Sequence, residues 1–378
     1  DVSGGPNGLA ASGGHLYGNT STSAFALDES TGRVLWERRL TSAREPIDIA
    51  PVVANGLVYT SSVGMRPDGK GKLFALDART GRTVWSFGTI KGAWADPAEA
   101  SGGGAWWSPT VDSQGRVYVG TSNPLPWGGS ASHPNGGAYA GPALYTDSLL
   151  VLAGTTGRLL WYDQVTPHDV RDYDFALPPI LATVGGNQLV IGGGKGGRVI
   201  AWNRSSHREV WSTAVGRHLH DTGPLPDRLV SVCPGLLGGV LTPMAYADGR
   251  IFVPVVNECM QGSATGYPGF FSTNYAAGRG ELVALDAATG RLLWSRPMSS
   301  PDFGCATVAN DVVFSSTYLG RIDAVAVATG RLLWSANEPA GINACPTVAG
   351  NLLLVDAGAE PEGIRTPTPQ LVAYRLPG

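Results

Sequence analysis

Short stretches in which apolar and polar residues alternate recur along the whole chain. Each is followed by a polar turn, two further residues and a Trp. Phe25-Ala26-Leu27-Asp28 leads to Trp36, and Phe74-Ala75-Leu76-Asp77 leads to Trp85. Later copies end at Trp161, Trp211, Trp294 and Trp334, and five of the six carry Thr-Gly-Arg ahead of the Trp, at Thr31, Thr80, Thr156, Thr289 and Thr329. The fourth copy reads Ser206-His207-Arg208 instead, and a truncated seventh closes the chain at Leu371-Val372-Ala373-Tyr374. Period-two alternation is the pattern of a half-buried strand, and Thr-Gly supplies a tight turn whose Gly takes a positive φ. Another strand pair lies upstream of each copy, as in Ala50-Pro51-Val52-Val53 and Leu57-Val58-Tyr59, joined by Ala54-Asn55-Gly56.

The intervals between successive Trp residues are 49, 76, 50, 83 and 40. The shortest fits one four-stranded unit, and the others are that unit with insertions. One such sheet cannot bury both faces alone, so the copies must stack around an axis. The expected fold is all-β: a β-propeller of four-stranded antiparallel blades with Trp-docking repeats. Seven blades are countable, an eighth upstream is left open, and one domain spans 1–378. The long connections, roughly 86–104, 124–146, 213–235 and 257–280, hold Gly, Ser, Pro, Tyr and Trp with few charges. Loops of that length in a compact domain are usually functional, and these are expected to build up the rim at one end of the axis.

Composition narrows the function classes. Of 378 residues, 53 are Gly and 27 are Pro, hydrophobic residues are 43% and charged residues 15%. That is too apolar for a disordered chain and too glycine-rich for a helical bundle. A net charge of −3 and no basic run longer than two residues argue against nucleic acid as a partner. No apolar stretch reaches membrane-spanning length. No signal segment stands at Asp1, so the numbering is expected to begin after processing or at a boundary within a longer chain.

Longer motifs carry a resemblance. Thr121-Ser122-Asn123-Pro124-Leu125-Pro126-Trp127, Thr166-Pro167-His168-Asp169-Val170-Arg171-Asp172-Tyr173-Asp174 and Cys233-Pro234-Gly235-Leu236-Leu237-Gly238-Gly239 stand in that order, with the Trp-docked repeats around them. Together they resemble the quinoprotein alcohol dehydrogenases, propellers that bind pyrroloquinoline quinone (PQQ) against a calcium ion. The resemblance implies that Asp172 is the catalytic base and, with Asn123, a ligand of the metal. It implies that Trp106, six residues before Asp112, is the aromatic floor under the quinone. Lys195, in Gly194-Lys195-Gly196-Gly197, would donate hydrogen bonds to the quinone oxygens, and Phe303 would be the second aromatic cover. Where the family places a calcium-binding Glu, this chain reads Val63-Gly64-Met65-Arg66, and Arg66 would bring a fixed positive charge there. Arg171 replaces a family Trp, the vicinal Cys pair is absent, and without Cys-x-x-Cys-His the chain carries no c-type haem.

Read without the resemblance, each of these residues has a structural alternative. The charges of Asp169, Arg171, Asp172 and Asp174 could cap a loop, Asn123 could be a turn residue, and Trp106 and Trp107 could pack between blades. Lys195 is one of four lysines among 23 arginines and could sit in a surface turn. A hard cation needs six or more oxygens, several of them carboxylate, and only Asp172 matches as a carboxylate. Of the four cysteines, the resemblance joins Cys233 to Cys259. Cys305 and Cys345 hold equivalent places in adjacent copies and could either bond near the axis or face the channel as thiols. An even count favours an oxidising compartment, so a secreted or periplasmic location is expected.

Three readings remain open at this stage. The first is a quinoprotein-like oxidoreductase acting on a small alcohol, with PQQ, calcium and an external electron acceptor. The second is a cofactor-free enzyme using Asp172 for rearrangement, cyclisation or hydrolysis. The third is a non-catalytic binding propeller.

Overall fold

The structure is a computed structural model that describes residues 8–64, 69–91, 100–136, 141–269, 278–359 and 369–375. Its regular structure is almost entirely antiparallel strand: six four-stranded sheets and one three-stranded sheet, each with its strands in chain order. Among the described residues no helix is long and apolar enough to cross a membrane. The chain divides into two compact units, 1–179 and 180–378. The first holds the sheets over 10–39, 52–88 and 110–164, and the second holds those over 180–214, 245–298, 307–337 and 347–375.

The repeat places the same chemistry at the same point of successive sheets. In the first sheet, Ser23–Asp28 pairs with Val34–Arg39, and the register slips by one residue beside the Trp36 partner Ala26. The same slip occurs next to Trp85, Trp161, Trp211, Trp294 and Trp334. This bulge follows from the turn between the strands. Asp28 Oδ1 accepts from the backbone N–H and the hydroxyl of both Ser30 and Thr31, and Asp286 and Asp77 bind their own Thr in the same way. The Gly after each Thr then adopts a φ near +70°, and in the fourth copy His207 takes that conformation at +60°.

The turn also receives the neighbouring sheet's Trp. The indole N–H of Trp36 donates to the carbonyl of Ala78 at 2.9 Å, that of Trp85 to Gly154 at 2.6 Å, that of Trp211 to Ala287 at 3.1 Å, and that of Trp294 to Val327 at 3.1 Å. Each ring lies flat on the turn Gly of the next copy, so a Cβ on Gly81, Gly157, Gly290 or Gly330 would fall 2.5–2.8 Å from ring atoms. Glycine is required there twice over, for its φ and for the close approach. Apolar cores fill the spaces between successive sheets within each unit. One is built on Tyr59, Leu73, Trp85, Val117, Leu150 and Leu152, another on Phe252, Leu282, Met298, Val313 and Val325. Trp334 faces the three-stranded sheet, which has no such turn among the described residues. Its ring meets Tyr374 edge-on at 4.9 Å and stays 38% exposed.

The four long connections pair with one another. Ser101–Gly102 in the first forms a two-stranded ribbon with Pro124–Leu125 in the second, and Val230–Val232 in the third pairs with Met260–Gly262 in the fourth. Each unit therefore carries one ribbon built from its own two insertions.

Candidate functional site

In the first unit the site grows from the glycine strip 102–104. Gly102 and Gly103 have φ of 93° and 69°. Gly102 lies directly on the Asn123 carbonyl and Gly104 on the Val63 α-carbon, with no room for a Cβ at either. The Gly103 N–H donates to the Asn123 carbonyl at 2.9 Å and the Ser122 N–H to the Gly104 carbonyl at 2.7 Å. The strip is thereby zipped to the Thr121–Pro124 segment and delivers Trp106 just beyond it. The ring of Trp106 is half-buried, and its buried indole N–H has no hydrogen-bond partner.

The 169–175 segment is stapled to the same place. The Asp169 carboxylate accepts the N–H of Arg171 at 2.8 Å and that of Tyr173, wrapping the backbone around Asp172. Asp172 sits at the apex with φ of 65°, a left-handed conformation that a non-glycine residue keeps only when its surroundings enforce it. Asp174 Oδ1 accepts the backbone N–H of Asn123 at 2.8 Å, and the Phe175 N–H donates to the Thr121 carbonyl at 3.1 Å. Gly120 sits against the Phe175 carbonyl, again with no space for a side chain. Asp172, Asp174 and Asn123 are 7%, 4% and 6% exposed, so the acid cluster is an interior one. Burial also holds the nearby His168 below its ordinary pKa, so that it is neutral at neutral pH.

The structure thus brings Asp172, Asn123 and the strip leading to Trp106 onto one hydrogen-bonded frame. The roles of Asp169 and Asp174 were not legible in the sequence. Both lie inside the Thr166–Asp174 motif, but nothing in the order of residues distinguishes a staple from a base. Arg66 lies outside the described residues, as does Met65. Described positions on that stretch, Ser61, Ser62 and Val63, are fully buried and offer no carboxylate.

These donors can be set against what a calcium ion requires. Hard cations of that size take six to eight oxygens with several carboxylates. Among the described residues no group of three or more His, Cys, Asp or Glu side chains is placed to hold a metal. One oxygen of Asp174 is engaged by the Asn123 backbone, and the Asn123 amide donates to the Pro124 carbonyl. The described donor set does not fit calcium. A flat aromatic ligand suits the frame better, because a side-chain-free strip leads to an exposed part of the Trp106 ring and a buried N–H without an acceptor.

The second unit holds the other candidates. Lys195 follows Gly194 at the end of a strand, in a segment whose backbone is closed by Gly197 N–H to the Gly194 carbonyl at 3.0 Å. Phe303 is 7% exposed and meets Tyr318 edge-on at 5.0 Å. Cys233 is bonded to Cys259 and Cys305 to Cys345, so the alternative of channel-facing thiols is removed. Two buried acids had no signal in the sequence. Asp302 accepts the Ser315 hydroxyl at 2.8 Å and 3.0 Å, and burial raises its pKa well above the ordinary carboxylate range. Glu258 is 5% exposed, and burial raises its pKa to about 7.

Comparison with known proteins bears on the fold and the family. Residues 41–215 match the family model of the glucose/ethanol/alcohol dehydrogenase β-propeller domain, and residues 146–364 match that of the outer membrane protein assembly factor BamB. A quinohemoprotein alcohol dehydrogenase of Comamonas testosteroni is 28% identical over 367 residues, covering 79% of this chain and 51% of the relative. The quinohemoprotein alcohol dehydrogenase ADH IIB of Pseudomonas putida is 33% identical over 189 residues, 44% of this chain and 27% of the relative. The chain therefore spans about half the length, or less, of these curated relatives. The solved structure of the Comamonas testosteroni enzyme superposes with a TM-score of 0.80 over 98% of this chain and 67% of that one, at 24% identity. A europium-containing methanol dehydrogenase superposes with a TM-score of 0.77 at 22% identity, over 93% of this chain and 73% of that one. With the strand grammar, the Trp-docked turns and both family models in agreement, the chain belongs to the PQQ β-propeller family typified by the quinoprotein alcohol dehydrogenases.

Proposed function

We propose that this chain is an alcohol oxidoreductase of the PQQ family, carried on one propeller domain, with Asp172 as general base. The observation that carries the reading is the position of Asp172: a buried carboxylate at the apex of a turn held by Asp169, in a segment stapled through Asp174 to Asn123. A base must be held rigidly near the hydroxyl it deprotonates, and such positioning of a proton acceptor contributes typically 10²–10⁴-fold. Asp172 would take the hydroxyl proton at its carboxylate as the carbinol carbon gives up a hydride. Asn123 would orient the alcohol or the quinone through its side-chain amide, and Trp106 would support a planar ring. When bound, PQQ would supply the hydride acceptor. The roles that the resemblance gives to Lys195, a donor to quinone oxygens, and to Phe303, an aromatic cover, belong to the same proposal. So do an external electron acceptor and residence in an oxidising compartment, the latter supported by two disulfides and no free cysteine among the described residues.

The test is calorimetric titration of chelator-treated protein with PQQ, with and without calcium, followed by turnover of simple alcohols by the loaded protein and by Asp172→Asn. Binding with turnover that falls by about 10²-fold or more in the variant is expected. Full activity in Asp172→Asn would remove the base. The described donor set, too poor for calcium, favours one further reading, in which Asp172 does proton chemistry without the quinone. Turnover by quinone-free, metal-stripped protein would establish that reading, and dependence on added quinone would eliminate it.

A further inference from the structure

The second unit contains a buried acid that the proposed reaction does not use. Both carboxyl oxygens of Glu258 are buried and have no hydrogen-bond partner. Among the described residues the backbone N–H of Leu237 is the one polar group near enough to favour the ionised form, and it falls short of a hydrogen bond. The carboxyl lies over Gly235, where any Cβ would collide with Oε2, and the Gly235 N–H donates to the Glu258 carbonyl at 2.8 Å. Glu258 is therefore packed onto one side of the Cys233–Gly239 turn, whose first residue the Cys233–Cys259 disulfide ties to the residue after Glu258.

The other side of that turn carries Lys195. Gly239 lies directly on the Lys195 carbonyl, and the Val240 N–H donates to the Gly194 carbonyl at 3.1 Å. A Cβ on Gly197 would fall 3.0 Å from Pro234. At Gly239 backbone meets backbone, against the Lys195 carbonyl and the Gly197 nitrogen. A displacement of the turn is thus a displacement of the Lys195 backbone.

We propose that Glu258 is a positioning residue for Lys195, acting through the Cys233–Gly239 turn: its neutral carboxyl packs the turn against the Lys195 segment, and loss of its proton loosens that contact. The consequence for catalysis rests on the reading of Lys195 as a cofactor contact, while the structural coupling does not. A neutral carboxyl tolerates its apolar seat. A carboxylate there has no donor and gains by drawing in water or the Leu237 N–H, either of which moves the turn. Among the described residues the charged and titratable groups around the turn are Lys195 itself and the His218–Asp221 pair. The His218 ring touches Gly197 and is bonded to Asp221 at 2.7 Å. The turn contributes no ionisable side chain, since Cys233 is bonded. Asn257, next to Glu258, is engaged by the Arg217 N–H and by Glu281.

The experiment is hydrogen exchange on the whole chain without quinone or alcohol, following the backbone amides of Gly197, Gly235, Gly239 and Val240, corrected for intrinsic exchange. Glu258 titrates near 7 in place and 4.5 when solvated, so opening is opposed fully below about pH 4.5 and that opposition is gone by about pH 7. Protection of these amides is expected to fall at least about tenfold between about pH 5 and about pH 7.5 and then to level off. In Glu258→Gln, which keeps the shape and cannot ionise, the fall is expected to vanish. Flat protection in the wild type would overturn the proposal, as would the same fall in Glu258→Gln. If Glu258→Gln does not fold, infrared spectroscopy of Asp302→Asn decides, because Asp302 also carries a carboxyl that burial keeps protonated. A protonated-carboxyl band lost over that window supports the proposal, and no such band at about pH 5 refutes it. None of these readings depends on whether the chain oxidises an alcohol.

Discussion

Replacing Gly157 by Ala tests whether the Trp-docked turns hold the sheets together as the geometry implies. Gly157 has a φ of 68°, and a Cβ built on it falls 2.6 Å from Cδ2 and 2.7 Å from Cε3 of Trp85. Carbon atoms prefer about 3.5–4.0 Å, so the ring must retreat by about 1 Å. The left-handed backbone costs Ala about 1–2 kcal/mol, and overpacking adds about 1–3 kcal/mol. Retreat also breaks the bond from the Trp85 indole to the Gly154 carbonyl, worth about 1 kcal/mol, now 2.6 Å long. Together these predict a loss of about 4 kcal/mol, readable as a shifted urea midpoint at unchanged slope. The decisive arm is a double-mutant cycle with Trp85→Ala. That change should cost about 3–5 kcal/mol alone, since the ring is 8% exposed and lies in the core with Tyr59 and Leu152. In its background Gly157→Ala should cost only the backbone part, about 1–2 kcal/mol, because the atoms it strikes are gone. Equal costs of Gly157→Ala in the two backgrounds would refute the docking argument.

Three further outcomes follow from the same geometry. Asp174→Ala strands the buried Asn123 N–H and should destabilise by about 1–3 kcal/mol while lowering turnover, measured by unfolding and by steady-state kinetics on the same preparation. Reduction of both disulfides should lower the unfolding midpoint, since closing loops of 26 and 40 residues is worth about 3.5 and 4 kcal/mol in the chain-entropy model; an unchanged midpoint after thiol quantitation would contradict it. Asp302, held protonated by burial, contributes stability that is fully present below its ordinary pKa of 3.8 and is lost as pH rises towards its raised value in the fold. Asp302→Asn should therefore flatten the decline of stability with pH, read by thermal unfolding at a series of pH values.

The sheets were legible in the sequence because each is specified locally. Asp28, Thr31, Gly32 and Trp36 lie within nine residues, and the turn they make is closed by contacts within Asp28–Arg33. The same economy explains the fourth copy. His207 stands where the other copies have Gly and takes the same left-handed φ, and Asn203 Oδ1 takes over the turn by accepting the N–H groups of Ser205 and Ser206. The Cys305–Cys345 bond was readable for a related reason, since two positions equivalent in the repeat occupy equivalent places in neighbouring sheets. The Thr307 hydroxyl reaches the Pro346 carbonyl at 2.6 Å across the same pair of sheets.

The candidate site was only half legible, and the missing half is the long-range part. Asp172 and Asn123 stood out through motifs, yet 49 residues separate them, and what unites them is a bond from a backbone N–H to Asp174, which no pattern announces. Glu258 is the extreme case. It lies between Asn257 and Cys259 at a strand end, where a carboxylate would ordinarily read as solvent-facing. Its burial is created by Gly235, twenty-three residues earlier, whose missing side chain makes the seat. Glycines next to motif residues in this chain are therefore informative less as turns than as vacated volume. Gly102 makes way for the Asn123 carbonyl, Gly120 for Phe175, Gly235 for Glu258 and Gly239 for Lys195. A substitution that filled any of these would displace a motif residue's backbone or, at Gly235, evict a carboxyl. Gly120→Ala should thus lower turnover through Asp172 and leave protection at Gly197 as it is, whereas Gly239→Ala should lower protection at Gly197 and, with Lys195 a cofactor contact, turnover as well. Lost protection at Gly197 in Gly120→Ala would refute this reading of the glycines.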